Sequence, residues 1–326
     1  MIVGRNEGDR LRACLESCRG YPSVYVDSGS SDGSVELAKQ MAFDVVCLDP
    51  RKPFTAARAR NEGFARLLQQ NPSLTFVQFI DGDCTLVAGW LGAALAHVQQ
   101  HPTCAVVCGR RREEHPDASI YNKLCDMEWN TVVGRAKSCG GDALMRVTAF
   151  QQVGGYASHM IAGEEPELCV RLRARWWKVV RLDAEMTVHD ARLTSFGSWW
   201  WRCVRAGYAF ALGASVHGAS PERHWVREVR SNWFWGAILP LAILMLAWPA
   251  LGVSLVMAAA YGALSARIYR HRRQVFGDSR ADAVLYAIAC MVGKFAHAVG
   301  QCRFFLDRAR SRSTPLIEYK TAAEAS

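Results

Sequence analysis

Several patterns are missing from this chain, and each absence narrows what it can be. There is no Cys-x-x-Cys pair, and 12 cysteines spread over 326 residues do not make a disulfide scaffold. Cys104, Cys108 and Cys290 lie inside apolar runs, as buried free thiols of a reducing compartment do. No solenoid-type repeat and no long polar tract occurs, and at 21% charged residues disorder is expected only at the termini. No signal peptide opens the chain, because Gly4-Arg5-Asn6-Glu7 follows only three residues; the N-terminal part is therefore expected in the cytoplasm. The first strand is also short. Only Met1-Ile2-Val3 precedes that turn, where a buried strand has about four to eight apolar residues; either the sheet has a clipped strand or, the favoured expectation, the start lies upstream of Met1. Finally, no charged residue occurs from Ser231 to Ala266.

Half of the residues are hydrophobic, enough to bury a full core in one domain of about 200 residues plus an appendage. Up to about residue 110, short β-rich runs alternate with amphipathic stretches. Val24-Tyr25-Val26 ends in Asp27, Val45-Val46-Cys47-Leu48 in Asp49, and Phe76-Val77-Gln78-Phe79-Ile80 in Asp81; Ser34 to Met41 and Ala56 to Gln70 read as helices between them. That grammar predicts an α/β fold with a mostly parallel sheet. Ligands of such sheets bind at the carboxyl ends of strands, where these acidic residues stand.

The charge-free run is too long for one untilted membrane span and too short for two full ones, at ~20 residues each. Pro240, Pro249 and Gly252 would divide it into two short helices. Arg223, Arg227 and Arg230 precede it and Arg267 to Arg273 follow it, so both ends are expected on the cytoplasmic side, with a re-entrant or tightly folded helical hairpin between; a single tilted span and a buried soluble hairpin are the alternatives. Residues 281 to 306 carry Lys294, His297 and Arg303 in a mildly apolar frame, and read as a helix lying at the membrane interface. The formal net charge of +9 admits nucleic acid, anionic lipid or a polyphosphate ligand. Because a basic cluster directly follows the apolar run, membrane lipids are the expected partner and nucleic acid is not.

Asp81-Gly82-Asp83 puts two carboxylates on a tight turn at a strand end, an arrangement that suits one hard cation with phosphate oxygens and water completing its shell. Alone it is a common turn tripeptide. Asp27 heads a Ser/Gly loop in which Asp32 or Ser34 can cap the next helix. Arg58, Arg60 and Asn61 fall on the helix after Pro53, where they face either phosphate or solvent. His189 ends the strand-like run Met186-Thr187-Val188, and Trp199-Trp200-Trp201 with Arg202 and Arg205 lines either an acceptor path or an ordinary packing face.

The ordered set Gly4-Arg5-Asn6-Glu7, Val26-Asp27-Ser28-Gly29-Ser30-Ser31-Asp32-Gly33, Ala59-Arg60-Asn61-Glu62-Gly63 and Asp81-Gly82-Asp83 closely resembles the family 2 glycosyltransferases. Gly140-Gly141-Asp142, Val153-Gly154-Gly155-Tyr156 and Gly163-Glu164-Glu165-Pro166-Glu167-Leu168 extend the resemblance over about the first 190 residues. It implies the Rossmann-like GT-A fold, expected over residues 1–225; the charge-free run and its flanks place a membrane-associated helical region over 226–310, and a flexible tail is expected over 311–326. It implies a nucleotide-diphosphate-sugar donor bound by Asp27, Asp32, Arg60, Asp81, Gly140 and Gly141, and Mg2+ or Mn2+ held by Asp83 with Asp81 and His189. Glu165 would be the catalytic base, with Glu164 the fallback, because family members usually carry Asp at the second position of this pair. The implied acceptor is a glycan or lipid-linked hydroxyl at the cytoplasmic face of the cell membrane. A sugar-phosphate nucleotidyltransferase would need a Gly-rich phosphate loop with a basic residue near the start, which Gly4-Arg5-Asn6-Glu7 is not. A non-catalytic nucleotide-sugar-binding protein is the other rival, and the Asp27, Asp83 and Glu165 set weighs against it.

Overall fold

The computed structural model describes residues 1–310; the tail expected over 311–326 lies outside the described residues. The elements in order are β1 (Ile2–Gly4), α1 (Asp9–Ser17), β2 (Val24–Asp27), α2 (Ser34–Gln40), β3 (Asp44–Cys47), α3 (Ala56–Gln70), β4 (Phe76–Asp81), β5 (Cys84–Leu86), α4 (Trp90–Gln100), β6 (Cys104–Glu113), α5 (Ile120–Trp129), β7 (Gly134–Ala136), β8 (Ala143–Arg146), α6 (Val147–Gln152), α7 (Glu164–Ala174), β9 (Lys178–His189), α8 (Phe196–His217), α9 (Val226–Trp233), α10 (Leu239–Leu246), α11 (Leu251–His271) and α12 (Arg280–Ala309). Short π-helical turns join α9 to α10 and extend α11 to Phe276.

Two compact units emerge. The first comprises residues 1–116 and 128–192, and the second residues 117–127 and 193 onward. In the first, the sheet runs β3-β2-β1-β4-β8-β6-β9-β5, with β7 paired to β9. Strands β1 to β4 pair in parallel, as the strand–helix alternation predicts. Beyond β4 the sheet is mixed, since β8 runs antiparallel to both β4 and β6 while β9 runs parallel to β6.

The central strands bury both faces, and the side chains alternate accordingly. Ile2, Tyr25 and Ile80 enter a small core with Leu11, Cys14 and Leu15 of α1. Val3, Val24, Val26, Val77 and Phe79 enter the main core beneath α3 and α4. Strand β1 is registered with partners on both sides, Val3 lying opposite Val26 and Asp81. Gly4 stands opposite Asp27, so Asp27 and Asp81 end the two strands flanking β1.

The second unit is helical. Among the described residues, three of its helices are long and apolar enough to cross a membrane: Val226–Leu246, Leu251–Phe276 and Arg280–Ala309. The first two are full-length rather than the short pair expected from the charge-free run. Each extends past that run into its basic flank, and long Arg side chains permit this by reaching toward head groups. The chain breaks at Pro249, while Pro240 sits in the first turn of α10 without ending the helix. Leu241, Leu244, Met245, Trp248, Leu255 and Val256 are exposed around that break, an apolar surface that water does not favour. Helix α12 differs in packing closely on α8: a Cβ on Gly207 would meet the His297 carbonyl oxygen, and one on Gly300 the Val204 carbonyl oxygen.

Candidate active site

The first turn of the site is fixed by backbone approach. Gly82 N donates to the Val3 carbonyl at 2.7 Å, and a Cβ at Gly82 would lie 3.1 Å from that same oxygen. The Gly4-to-Glu7 turn is stitched to the loop after β2. Asn6 N donates to Ser30 Oγ at 3.0 Å and Ser31 N to Asn6 Oδ1 at 2.8 Å. Asp27 is buried and accepts from Tyr25 Oη, Gly29 N and Ser30 N. Asp32 accepts from Gly8 N, Ser34 N and Ser34 Oγ. Both carboxylates thus hold this loop open at the strand ends.

Arg60 is the hub. Its position on α3 is buried, not the exposed helix face that amphipathicity alone allows. Its guanidinium reaches Asp81 Oδ1 at 2.7 Å, Glu164 Oε1 at 2.9 Å and Glu165 Oε1 at 3.0 Å, and lies over the Tyr156 ring. Burial opposes its charge, but Glu165 and Asp81 outweigh burial and keep it firmly protonated. Burial also pushes Asp81 upward, yet Arg60 and Arg111 prevail and hold it below the usual carboxylate value. Glu165 goes the other way. Burial and the neighbouring Glu164 raise it to about 7 against the pull of Arg60. The pair opens α7 after Gly163, whose φ of 81 only glycine adopts readily, and acidic residues in that first turn suit the helix dipole. Pro166 stands third in the helix, within its first turn.

A second arginine, Arg111 on β6, links Asp142 Oδ2 at 2.8 Å to Asp81 Oδ2 at 3.3 Å. Asp142, fully buried, also accepts from Asp81 N and Thr187 Oγ1. Beside it, His189 Nε2 lies 3.2 Å from Asp83 Oδ2, while its Nδ1 faces Glu113 Oε2 at 3.9 Å. Burial lowers the imidazole, but Asp83 and Glu113 more than compensate and raise it to about 9. The ring edge of Trp129 packs against it. Ligand atoms of Asp83, Cys84 and His189 lie within 4.8 Å of one another, as do those of Asp81, Cys84 and Asp142. Such oxygen and imidazole donors fit a divalent cation.

Asp81, Arg60, Glu164 and Glu165 are therefore brought together in space, and Asp83 meets His189. Gly141 explains itself by space, since its Cβ would sit 2.4 Å from Asp81 Oδ2 and 2.7 Å from Arg60 Nη2. The Cβ of Gly140 would meet nothing closer than Arg111 Nη2 at 4.0 Å. Gly141→Ala is expected to cost about 1–3 kcal/mol of stability through overpacking and to weaken donor binding. Gly140→Ala should leave the melting temperature nearly unchanged, so paired thermal melts with donor titrations check the contrast. Arg111, Glu113, Cys84 and Thr187 escaped the sequence reading. The available signal was the charged end of the apolar strand Cys104 to Cys108, the pattern that marked Asp81.

A mixed α/β sheet with these acidic strand ends and a cation-compatible pair beyond the fourth strand defines a GT-A-type domain. Among solved structures, a mannosyltransferase of Pyrobaculum calidifontis in complex with GDP-Man and Mn2+ superposes with a TM-score of 0.58 at 18% identity, covering 92% of this chain and 86% of that one. Residues 1–151 match glycosyl transferase family 2. The pre-mycofactocin glycosyltransferase of Mycobacterium tuberculosis is 28% identical over 217 residues, which is 61% of this chain but only 43% of that protein. This chain thus spans under half the length of that relative. The succinoglycan biosynthesis protein ExoA of Rhizobium meliloti is 25% identical over 93% of both chains.

Proposed function

We propose that the chain is an inverting glycosyltransferase that moves a sugar from a nucleotide-diphosphate sugar to a hydroxyl of a glycan or lipid-linked acceptor. The observation that carries this reading is the convergence of Asp81, Glu164 and Glu165 on the buried Arg60, with Asp83 and His189 alongside. Asp27, Asp32 and the glycine pair Gly140-Gly141 shape the nucleotide and sugar pocket around it. Asp83, with His189 and Asp81, would hold Mg2+ or Mn2+; when bound, that cation neutralises the charge of the leaving diphosphate. Arg60 keeps Asp81 ionised and sets the charge felt by Glu165. Glu165 Oε takes the proton of the acceptor hydroxyl as its oxygen attacks the anomeric carbon opposite the leaving group. A carboxylate with a pKa of about 7 is well matched to that task at neutral pH.

Membrane lipids are the second partner in this reading, and the cytoplasmic face of the cell membrane its place. The helices Val226–Leu246 and Leu251–Phe276 form a hairpin with basic residues at both outer ends, which favours those ends inside. Helix α12 begins at Arg280 and ends near Arg308, and 39% of its most apolar window is buried within the protein, against 11% and 6% for the hairpin helices.

The test is transfer from a panel of nucleotide-sugars to acceptors in a membrane extract, with products read by mass spectrometry and anomeric NMR. One donor should yield a product of inverted configuration. Retained configuration, or exchange of a sugar phosphate with a nucleoside triphosphate, would overturn the proposal.

A further inference from the structure

Cys84 follows directly on the Asp81-Gly82-Asp83 turn and stands opposite His189 in the β5–β9 ladder. Residues directly opposite in a ladder project their side chains to the same face, so the thiol and the imidazole are held together by register, not by a mobile loop. The thiol lies 3.7 Å from Asp83 Oδ1, and His189 Nε2 lies 3.2 Å from Asp83 Oδ2. Tetrahedral zinc, with bonds of about 2.0–2.3 Å to oxygen, nitrogen and sulfur, separates its ligand atoms by roughly 3.3–3.7 Å. One ligand atom from each of the three lies within 4.8 Å of the other two, close enough for all three to converge on one zinc-class ion. Hard cations take oxygen ligands and have little use for the sulfur, whereas softer ones gain most from thiolate and imidazole.

We propose that Asp83, Cys84 and His189 form a binding site for thiophilic divalent cations, Zn2+ or Cd2+, which excludes the hard cation because both use Asp83. The inference rests on the reading of Asp83 as a ligand of that hard cation. On binding, Cys84 Sγ and the His189 imidazolium each release a proton to bulk water as they take the metal, and no oxidation occurs. A fourth coordination position stays available to water. Soft cations then act as inhibitors of the site, and Cys84 sets its preference among metals.

The experiment uses the full chain carrying Cys47→Ser and Cys302→Ser, since these two cysteines are exposed and would bind soft metal adventitiously. Mn2+ binding is followed by electron paramagnetic resonance, and Cd2+ is titrated while the ultraviolet thiolate-to-metal charge-transfer absorption is recorded. One equivalent of Cd2+ should release the bound Mn2+ as the band grows. Cys84→Ser should abolish the band and weaken Cd2+ by at least about tenfold, the least expected even for an outer-shell partner, while Mn2+ binding persists. Cys84→Ala serves as the second variant, and circular dichroism confirms that both fold. A band that survives both substitutions, or Mn2+ that Cd2+ does not displace, overturns the proposal and leaves the donor-site reading standing. Absence of Mn2+ binding in the parent protein would instead sink the underlying reading.

Discussion

Glu165→Gln is expected to lower turnover by about 10²–10⁴-fold, the usual contribution of a positioned general base, while donor affinity changes little. Glutamine has the same shape and can still lie beside Arg60, but it cannot accept the acceptor's proton. The sign of the pH effect follows from the raised value of about 7, set by burial and by Glu164 against Arg60. Only the ionised carboxylate acts as base, so activity should rise with pH through a limb centred near 7 and fall about tenfold per unit well below it. The variant should lack that limb. Initial rates across pH 5.5 to about 8.5, with donor binding by titration calorimetry, check both points. Glu164→Gln is the control. Glu164 Oε1 bonds Arg60 Nη1 at 2.9 Å, so its loss should disturb the hub and lower stability, while the pH limb persists but moves to lower pH because Glu164 helps to raise Glu165. If Glu164→Gln removes the limb and Glu165→Gln does not, the base is Glu164.

Much of the N-terminal architecture was legible because local signals agreed with one another. Helix α3 runs from Ala56 to Gln70, as its amphipathic pattern indicates, with the Thr55 side chain accepting from Arg58 N at its start. Strands β2 and β4 end at Asp27 and Asp81, where the apolar runs stop. The acidic strand ends were visible for the same reason. What the pattern could not give is which charged residue turns inward. Arg58 and Arg60 stand two apart on one helix and both are buried, yet Arg60 alone reaches Asp81 and the Glu164-Glu165 pair. That choice depends on α7, more than 100 positions away in sequence. Strand β6 hid its contribution differently. The register between β6 and β9 shifts between Cys108 and Arg110, and again before Arg111. A period-two reading therefore loses phase just where Arg111 and Glu113 enter the site. The basic ends of the membrane-type helices misled in the opposite direction, because counting uncharged residues shortens a helix whose last turns carry arginine.

Asp83→Ala should reduce donor turnover by about two to three decades, the rate equivalent of the several kcal/mol that a cation contributes at a leaving diphosphate. The loss is expected to be larger than for His189→Ala. Asp83 supplies the charged oxygen that hard cations select, while an imidazole adds a neutral ligand of secondary value to Mg2+ or Mn2+. The two variants also differ in what they leave behind. Removing Asp83 takes away the carboxylate that, together with Glu113, holds the His189 imidazole near a pKa of 9, so the histidine should titrate lower and its ring should lose one anchor. Removing His189 leaves Asp83 on its turn, still fixed by Gly82 N on the Val3 carbonyl. Electron paramagnetic resonance of bound Mn2+ separates these effects from catalysis. Asp83→Ala should show no bound Mn2+ in the absence of donor, and His189→Ala a weaker but measurable complex. Full turnover in Asp83→Ala with no divalent cation present would remove the cation from the mechanism. The burden of stabilising the leaving group would then fall on Arg60 and Arg111, the two guanidinium groups that already meet at Asp81.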